Sequence, residues 1–224
     1  MVKQSGFLLV SLLLALGCAS AAMGQNGDYR RFEFFVGYSH NRVDVGPVED
    51  FDPDDDLEFS DIFDEREGFN GFNASVVGNF SRYVGAKFDY SFHQKSFEFG
   101  PDNTSIRLQN FLGGIQIKDN SAEGRFKPFG HALVGVGRTS ADLSEFDDQL
   151  EDFNDAGFAA AIGGGIDVRL SDRVDVRVIQ VDYNPMRFDF SDFGTVGLPG
   201  TPTFTGNQKR TLHNFRIGIG IVFH

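Results

Sequence analysis

Asp52-Pro53-Asp54-Asp55-Asp56 sets four carboxylates in five residues, a density that raises calcium as a ligand. The common calcium loop needs Gly at its sixth position and Glu at its twelfth. Counted from Asp52, those positions hold Leu57 and Phe63, so that motif fails. Two readings of the run stay open, a solvated loop and a diffuse site for divalent cations. His40 and His213 are a candidate zinc pair if the fold joins their strands, although polar residues at a membrane interface are the plainer account. No serine, cysteine or histidine stands in a nucleophile–base arrangement. No catalytic, cofactor-binding or metal-ligating residue is therefore assigned. The remaining chemistry lies in Lys87, Asp89, Asp167, Arg169, Asp175 and Arg177, which read either as a salt-bridged plug or as a gated path for protons or ions.

The last four of these sit in AIGGGIDVRLSDRVDVRVIQVDY (161–183), where charged and apolar residues alternate strictly around a short SDR segment. Period two is the mark of a strand whose faces meet different media. Folded as a hairpin about Asp172, Asp167 faces Arg177 and Arg169 faces Asp175. A slip of two residues would oppose Asp167 to Asp175, like against like. The charges form one matched inner face. Val168 beside Val176 and Ile166 beside Val178 are expected on the other.

The same two-faced pattern runs through 30–41, 71–80, 84–93, 211–224 and, less cleanly, 105–118, 125–139 and 158–170. Phe32, Phe34, Val36, Tyr38 and His40 oppose Glu33, Phe35, Gly37, Ser39 and Asn41; Phe215, Ile217, Ile219, Ile221 and Phe223 oppose Asn214, Arg216, Gly218, Gly220 and Val222. Leu108 and Phe111 cannot share a face without a bulge, and Pro128 fits only a strand's start or a bulge. With 174–184 this makes eight strands. Short connections (81–83, 119–124, 171–173) alternate with long polar ones (43–68, 94–104, 140–156, 188–209).

Residues 1–24 differ in kind. Lys3 precedes an apolar run, GFLLVSLLLALG (6–17), and small residues follow, the layout of a secretory signal peptide. The run is too short for a spanning helix. Gly17-Cys18 partly resembles a lipidation site; if Cys18 leaves with the peptide, no cysteine remains. Net charge is −12, concentrated in 44–67 (twelve acids, one base) and 142–155 (seven acids, no base). Such an acidic surface argues against nucleic acid as a partner.

Long apolar faces with aromatics at strand ends, polar faces rich in Gly, Ser and Asn, and short turns opposite long loops favour a membrane barrel over a water-soluble one. The chain resembles the small outer-membrane β-barrel family, the OmpA-like and porin-like eight-stranded barrels of Gram-negative envelopes. The resemblance covers residues 28–224 and rests on that architecture, on the 161–177 hairpin and on Arg216–Phe223, whose pattern polar-x-Gly-x-x-apolar-x-aromatic matches the family's last strand. His224 departs from it, since such chains usually end on the aromatic. The expected fold is an all-β, eight-stranded antiparallel up-and-down transmembrane barrel over 25–224.

The resemblance implies an outer-membrane location and a non-enzymatic structural or surface-interaction role. A small ion or solute channel is the alternative, and a secreted lipocalin-like barrel a distant one. It also implies contact with membrane lipid and lipopolysaccharide, and with the barrel-assembly machinery through the C-terminal strand. Divalent cations are expected at the acidic loops, and no cofactor.

Overall fold

A computed structural model describes residues 29–44, 66–99, 102–121, 124–142, 153–189 and 209–224. Eight strands follow one another: β1 Phe32–Asp44, β2 Arg66–Asn79, β3 Val84–Phe99, β4 Asp102–Lys118, β5 Phe126–Asp142, β6 Phe153–Arg169, β7 Val174–Asp189 and β8 Lys209–Phe223. Each pairs antiparallel with its sequence neighbour, and β8 closes on β1. The signal-peptide segment, Asp52–Asp56 and the centres of both acidic segments lie outside the described residues.

All eight expected strands form, and each reaches further toward the long-loop rim than its pattern suggested. The expected long connection at 94–104 is the clearest correction. Instead β3 runs to Phe99, β4 starts at Asp102, and the two stay in register to their ends. Similarly, β5 and β6 take in both ends of the expected loop at 140–156. Inter-strand hydrogen bonds satisfy the backbone there, so charged side chains do not end the strands.

The short turns are held locally. Ser81 Oγ accepts from the amide of Val84 at 3.0 Å, and the amide of Ser171 donates to the Val174 carbonyl at 2.9 Å. A residue row followed around the barrel starts at Phe32, passes through Gly78, Ala86, Ile115, Ala132, Ile162, Tyr183 and Phe215, and returns to β1 at Arg42. That ten-residue stagger tilts the strands, by about 40° for a barrel of this kind.

Alternation sorts the side chains as read. Phe88, Ile162, Ile219 and Phe126 point outward and are exposed, while Glu33, Lys87, Asp89, Asp167, Asp175 and Arg216 are buried inside. Leu108 and Phe111 take opposite faces, Leu108 buried and Phe111 exposed, and β4 keeps an unbroken register. Pro128 stands third in β5, near the strand's start.

One correction falls within the hairpin. Val168 pairs with Val176, but Ile166 pairs with Ile179 rather than Val178, because a bulge interrupts β7 there. Val178 and Ile179 both face outward, and Gln180 resumes the inner face. An extra residue in one strand does this without moving any charge to the wrong side.

The interior also departs from an all-polar filling. Leu112, Leu133, Ala159, Ala161 and Met186 form one buried apolar cluster, with Leu212 packed against it. Val43, Phe69 and Leu108 form a second. The second lies toward the long-loop rim, whereas the first begins level with the charged residues, Leu112 being opposite Asp89.

Candidate functional site

Inward alternation from all eight strands concentrates charge in a lumen too narrow for much besides side chains. Nearest the short-turn rim, Asp175 is gripped from across the barrel. Arg30 lies 3.2 Å away, Lys127 3.3 Å and the His224 ring 2.9 Å. Arg169 faces Asp175 along the backbone, as the hairpin predicts. Its guanidinium, however, reaches Asp172 in the turn. The expected second pair is right in register and different in its partners, because Asp175 points into the barrel and Arg169 lies at its edge.

The first pair forms as expected. Arg177 donates through Nε and Nη2 to the two oxygens of Asp167, at 2.8 and 3.2 Å. Asp167 is shared, since Lys118 Nζ donates to it at 2.8 Å and also bonds Glu33. Glu33 in turn accepts from Asn79 Nδ2 at 3.0 Å. The Arg177 guanidinium carbon lies 4.2 Å from the Phe35 ring centroid and 4.0 Å from that of Phe129, so the cation is sandwiched between two π faces. Gly220 makes room for this, because a Cβ there would approach the Phe35 ring to 2.8 Å.

The next layer centres on Arg216. It donates to Asp182 at 2.6 and 2.9 Å and to Asp89 at 2.9 Å. Lys87 stands 3.4 Å from Asp89 and 3.3 Å from His131 Nδ1. His131 Nε2 is 3.0 Å from Asp182, close enough for an ion pair but not aligned for a hydrogen bond. Above it lie neutral polar contacts: Ser39 to His93 at 2.9 Å, and Asn110 to Asn184 at 3.0 Å. Val43 and Leu108 lie beyond Ser39 and Asn110 on their strands, while Leu112 sits opposite Asp89.

Six buried cations (Arg30, Lys87, Lys118, Lys127, Arg177, Arg216) thus interleave with five buried carboxylates (Glu33, Asp89, Asp167, Asp175, Asp182). Desolvating that many charges is tolerable only where each meets an opposite charge in good geometry. Sequence reasoning placed Glu33 and Arg216 on inner faces but did not join them to the plug. It missed Arg30, Lys118, Lys127 and Asp182. Inward parity marks Lys127, but Asp182 shares the parity of the outward Val178 and turns inward only through the β7 bulge; Arg30 and Lys118 lie at or beyond strand ends, where parity gives little guidance.

Ser39 and His93 form the hydroxyl–imidazole contact that the sequence did not suggest. Both are fully buried, and among the described residues His93 Nδ1 has no hydrogen-bond partner that would orient the ring. Nor does the fold join the two candidate zinc ligands. β1 and β8 are neighbours, but His40 sits opposite Ile217 and His213 four residues further along. His40 bonds Asn70 at 2.8 Å, and His213 bonds the Tyr183 hydroxyl.

A closed up-and-down barrel with an apolar exterior and an ion-paired interior is the arrangement of a transmembrane β-barrel. The chain matches the family model described as outer membrane protein beta-barrel domain over residues 9–223, and it belongs to that family. Its place is the outer membrane. Among solved structures, Neisserial surface protein A aligns with a TM-score of 0.54 at 11% identity, covering 86% of this chain and 96% of that one. Ail, the attachment invasion locus protein of Yersinia pestis, aligns at 0.47 with 13% identity, covering 86% and 98%. OprG from Pseudomonas aeruginosa gives 0.45 at 13% identity, covering 87% and 96%. At such identities these likenesses concern the fold alone. No curated protein matches the sequence significantly.

Proposed function

We propose that this protein is a non-enzymatic, non-conducting outer-membrane barrel with a structural and surface-displaying role. The observation that carries the reading is the packed interior, in which an ion-paired plug rises from the short-turn rim beside one apolar cluster and below a second of Val43, Phe69 and Leu108. Arg177, held by Asp167, is sandwiched between Phe35 on β1 and Phe129 on β5. A water-filled path would need these groups to separate, leaving charges buried and unpaired.

In this reading residues 1–24 direct export and the assembly machinery engages the last strand. Lipid and lipopolysaccharide surround the barrel, and the long loops, with their excess of acids, face outward from the cell. The acidic segments recruit divalent cations diffusely, since charges of one sign on one rim repel and attract counter-ions. Nucleic acid is not a partner of so acidic a surface.

Planar-bilayer recording tests the reading. Barrels shown to be folded by faster gel migration before boiling should give no steady current steps that grow with salt. Such steps would replace this reading with the channel alternative.

A further inference from the structure

The chain enters the barrel across its short-turn mouth rather than along its wall. β1 pairs with β2 so that Phe32 lies opposite Gly78, and the Asn79 amide donates to the Arg31 carbonyl at 2.7 Å. Continued in that register, Tyr29 would lie opposite Ser81 in the β2–β3 turn. It does not. Tyr29 instead forms an isolated antiparallel bridge with Ser121, and the Arg30 amide donates to the Asn120 carbonyl at 3.2 Å. Asn120 and Ser121 belong to the connection between β4 and β5, on the far side of the closed barrel from β1. The backbone of residues 29–31 therefore leaves the wall beside β2 and crosses the mouth.

Side chains fasten the crossing to a third part of the rim. Arg30 Nη1 donates to both oxygens of Asp175 at 3.2 Å, and Nη2 donates to the Asp172 carbonyl in the β6–β7 turn at 2.9 Å. From the β2 side, Asn79 Nδ2 donates to the Arg30 carbonyl at 2.9 Å. Arg30, Asn120 and Ser121 are buried although all three stand at the barrel's end. The ion pair of Glu33 and Lys118 lies just inside them. Two features make this crossing a movable part rather than a piece of wall. Among the described residues, Arg30 is the one buried cation carried outside the eight strands, so it can leave without breaking a strand pairing. Its departure also strands no charge. Asp175 keeps Lys127 at 3.3 Å and the His224 ring at 2.9 Å, and the freed guanidinium enters water.

We infer that residues 29–31 are a strap latched by Arg30, which closes the short-turn mouth and on release opens that end of the charged plug to solvent. Access to the interior from the short-turn side is then set by this strap and not by the loops at the other rim. The latch is specific to arginine, because a planar guanidinium serves the Asp175 carboxylate and the Asp172 carbonyl at once. Such a strap would gate a conducting barrel at the same place, so it does not rest on the sealed lumen. Current steps in a planar bilayer would remove the sealed reading and leave the outcomes below as they stand.

Thiol chemistry tests the strap on the full chain, with its single cysteine replaced as C18S, folded in detergent micelles that leave both rims in water. Y29C/S121C puts thiols on bridge partners, whose Cα separation of roughly 4.5–5.5 Å suits a disulfide. Mild oxidation should crosslink that pair and not Y29C/S81C. Preferential crosslinking of Y29C/S81C would show that residues 29–31 merely continue β1, and would overturn the strap. A second measurement reads the latch. Asn120→Cys is buried beside the strap, and R30Q should speed its modification by a water-soluble methanethiosulfonate roughly tenfold or more. Val43→Cys, buried toward the long-loop rim, should react at an unchanged rate. No acceleration at Asn120→Cys, or an equal one at Val43→Cys, would overturn Arg30 as the latch. Should R30Q not fold, R30K is read in its place. It keeps the charge but cannot serve both acceptors, so a smaller acceleration confined to Asn120→Cys is expected, and none would count against the latch.

Discussion

Arg177 is the residue on which most of the interior depends. Replacing it with Ala leaves Asp167 with Lys118 alone and opens the space between Phe35 and Phe129. The expected loss is about 3–5 kcal/mol, the usual penalty for breaking a buried pair, measured by urea unfolding in lipid. From the hairpin alone, exchanging the charges as D167R/R177D ought to restore much of this loss. The full interior predicts otherwise. An arginine at 167 would meet Lys118, and an aspartate at 177 would lose both rings and sit against Gln180. The double variant should be no more stable than R177A, and a recovery of more than half the loss would show that the hairpin pair acts in isolation. At the short-turn rim, Arg82 donates two hydrogen bonds to Asp119. They hold that carboxyl below its ordinary range. A depressed carboxylate contributes stability above its unfolded pKa and loses it as pH falls through its folded one. The pair is exposed, so R82A should change stability by no more than about 1 kcal/mol at neutral pH and by less in acid. A larger loss in acid than at neutral pH would contradict this sign.

Strands were legible because their faces differ so strongly. The register of β6 against β7 could be read because opposite charges meet at Asp167 and Arg177. The β7 bulge was not legible, because Val178 and Ile179 suit the lipid face equally well in either order. The long-loop ends of the strands were hidden for a related reason. Residues such as Glu98, Asp102, Asp142 and Asp155 look like loop, although backbone pairing carries the strands past them. The bulge makes a prediction at this scale. Deleting Val178 restores plain alternation and keeps Arg177 and Gln180 facing inward, so the variant should still migrate as a folded barrel before boiling. Deleting Ile219 from the unbulged β8 turns either Arg216 or Val222 to the wrong face and should abolish that band. Equal behaviour of the two deletions would refute the assigned bulge.

At the scale of the whole barrel, the sequence supplied the eight strands, their closure and the polarity of both surfaces. It did not supply the lumen's partners. Arg216 meets Asp89, and Arg30 meets Asp175, only because closure with a ten-residue stagger brings distant strands face to face. Nor did alternation reveal the apolar clusters inside the barrel. Leu112, Leu133 and Met186 occupy inward positions, where a polar lumen leads one to expect hydrophilic side chains.

The central claim is that the apolar face meets lipid and the ion-paired face is sealed from it. The chain contains no tryptophan, so a single introduced one reports its own surroundings without background. Phe88 is exposed outward at 54%, and Phe35 is buried inside at 4%. In vesicles of brominated phosphatidylcholine, Phe88→Trp should be strongly quenched and Phe35→Trp scarcely at all. Quenching of Phe35→Trp equal to that of Phe88→Trp, or none of Phe88→Trp, would contradict the account.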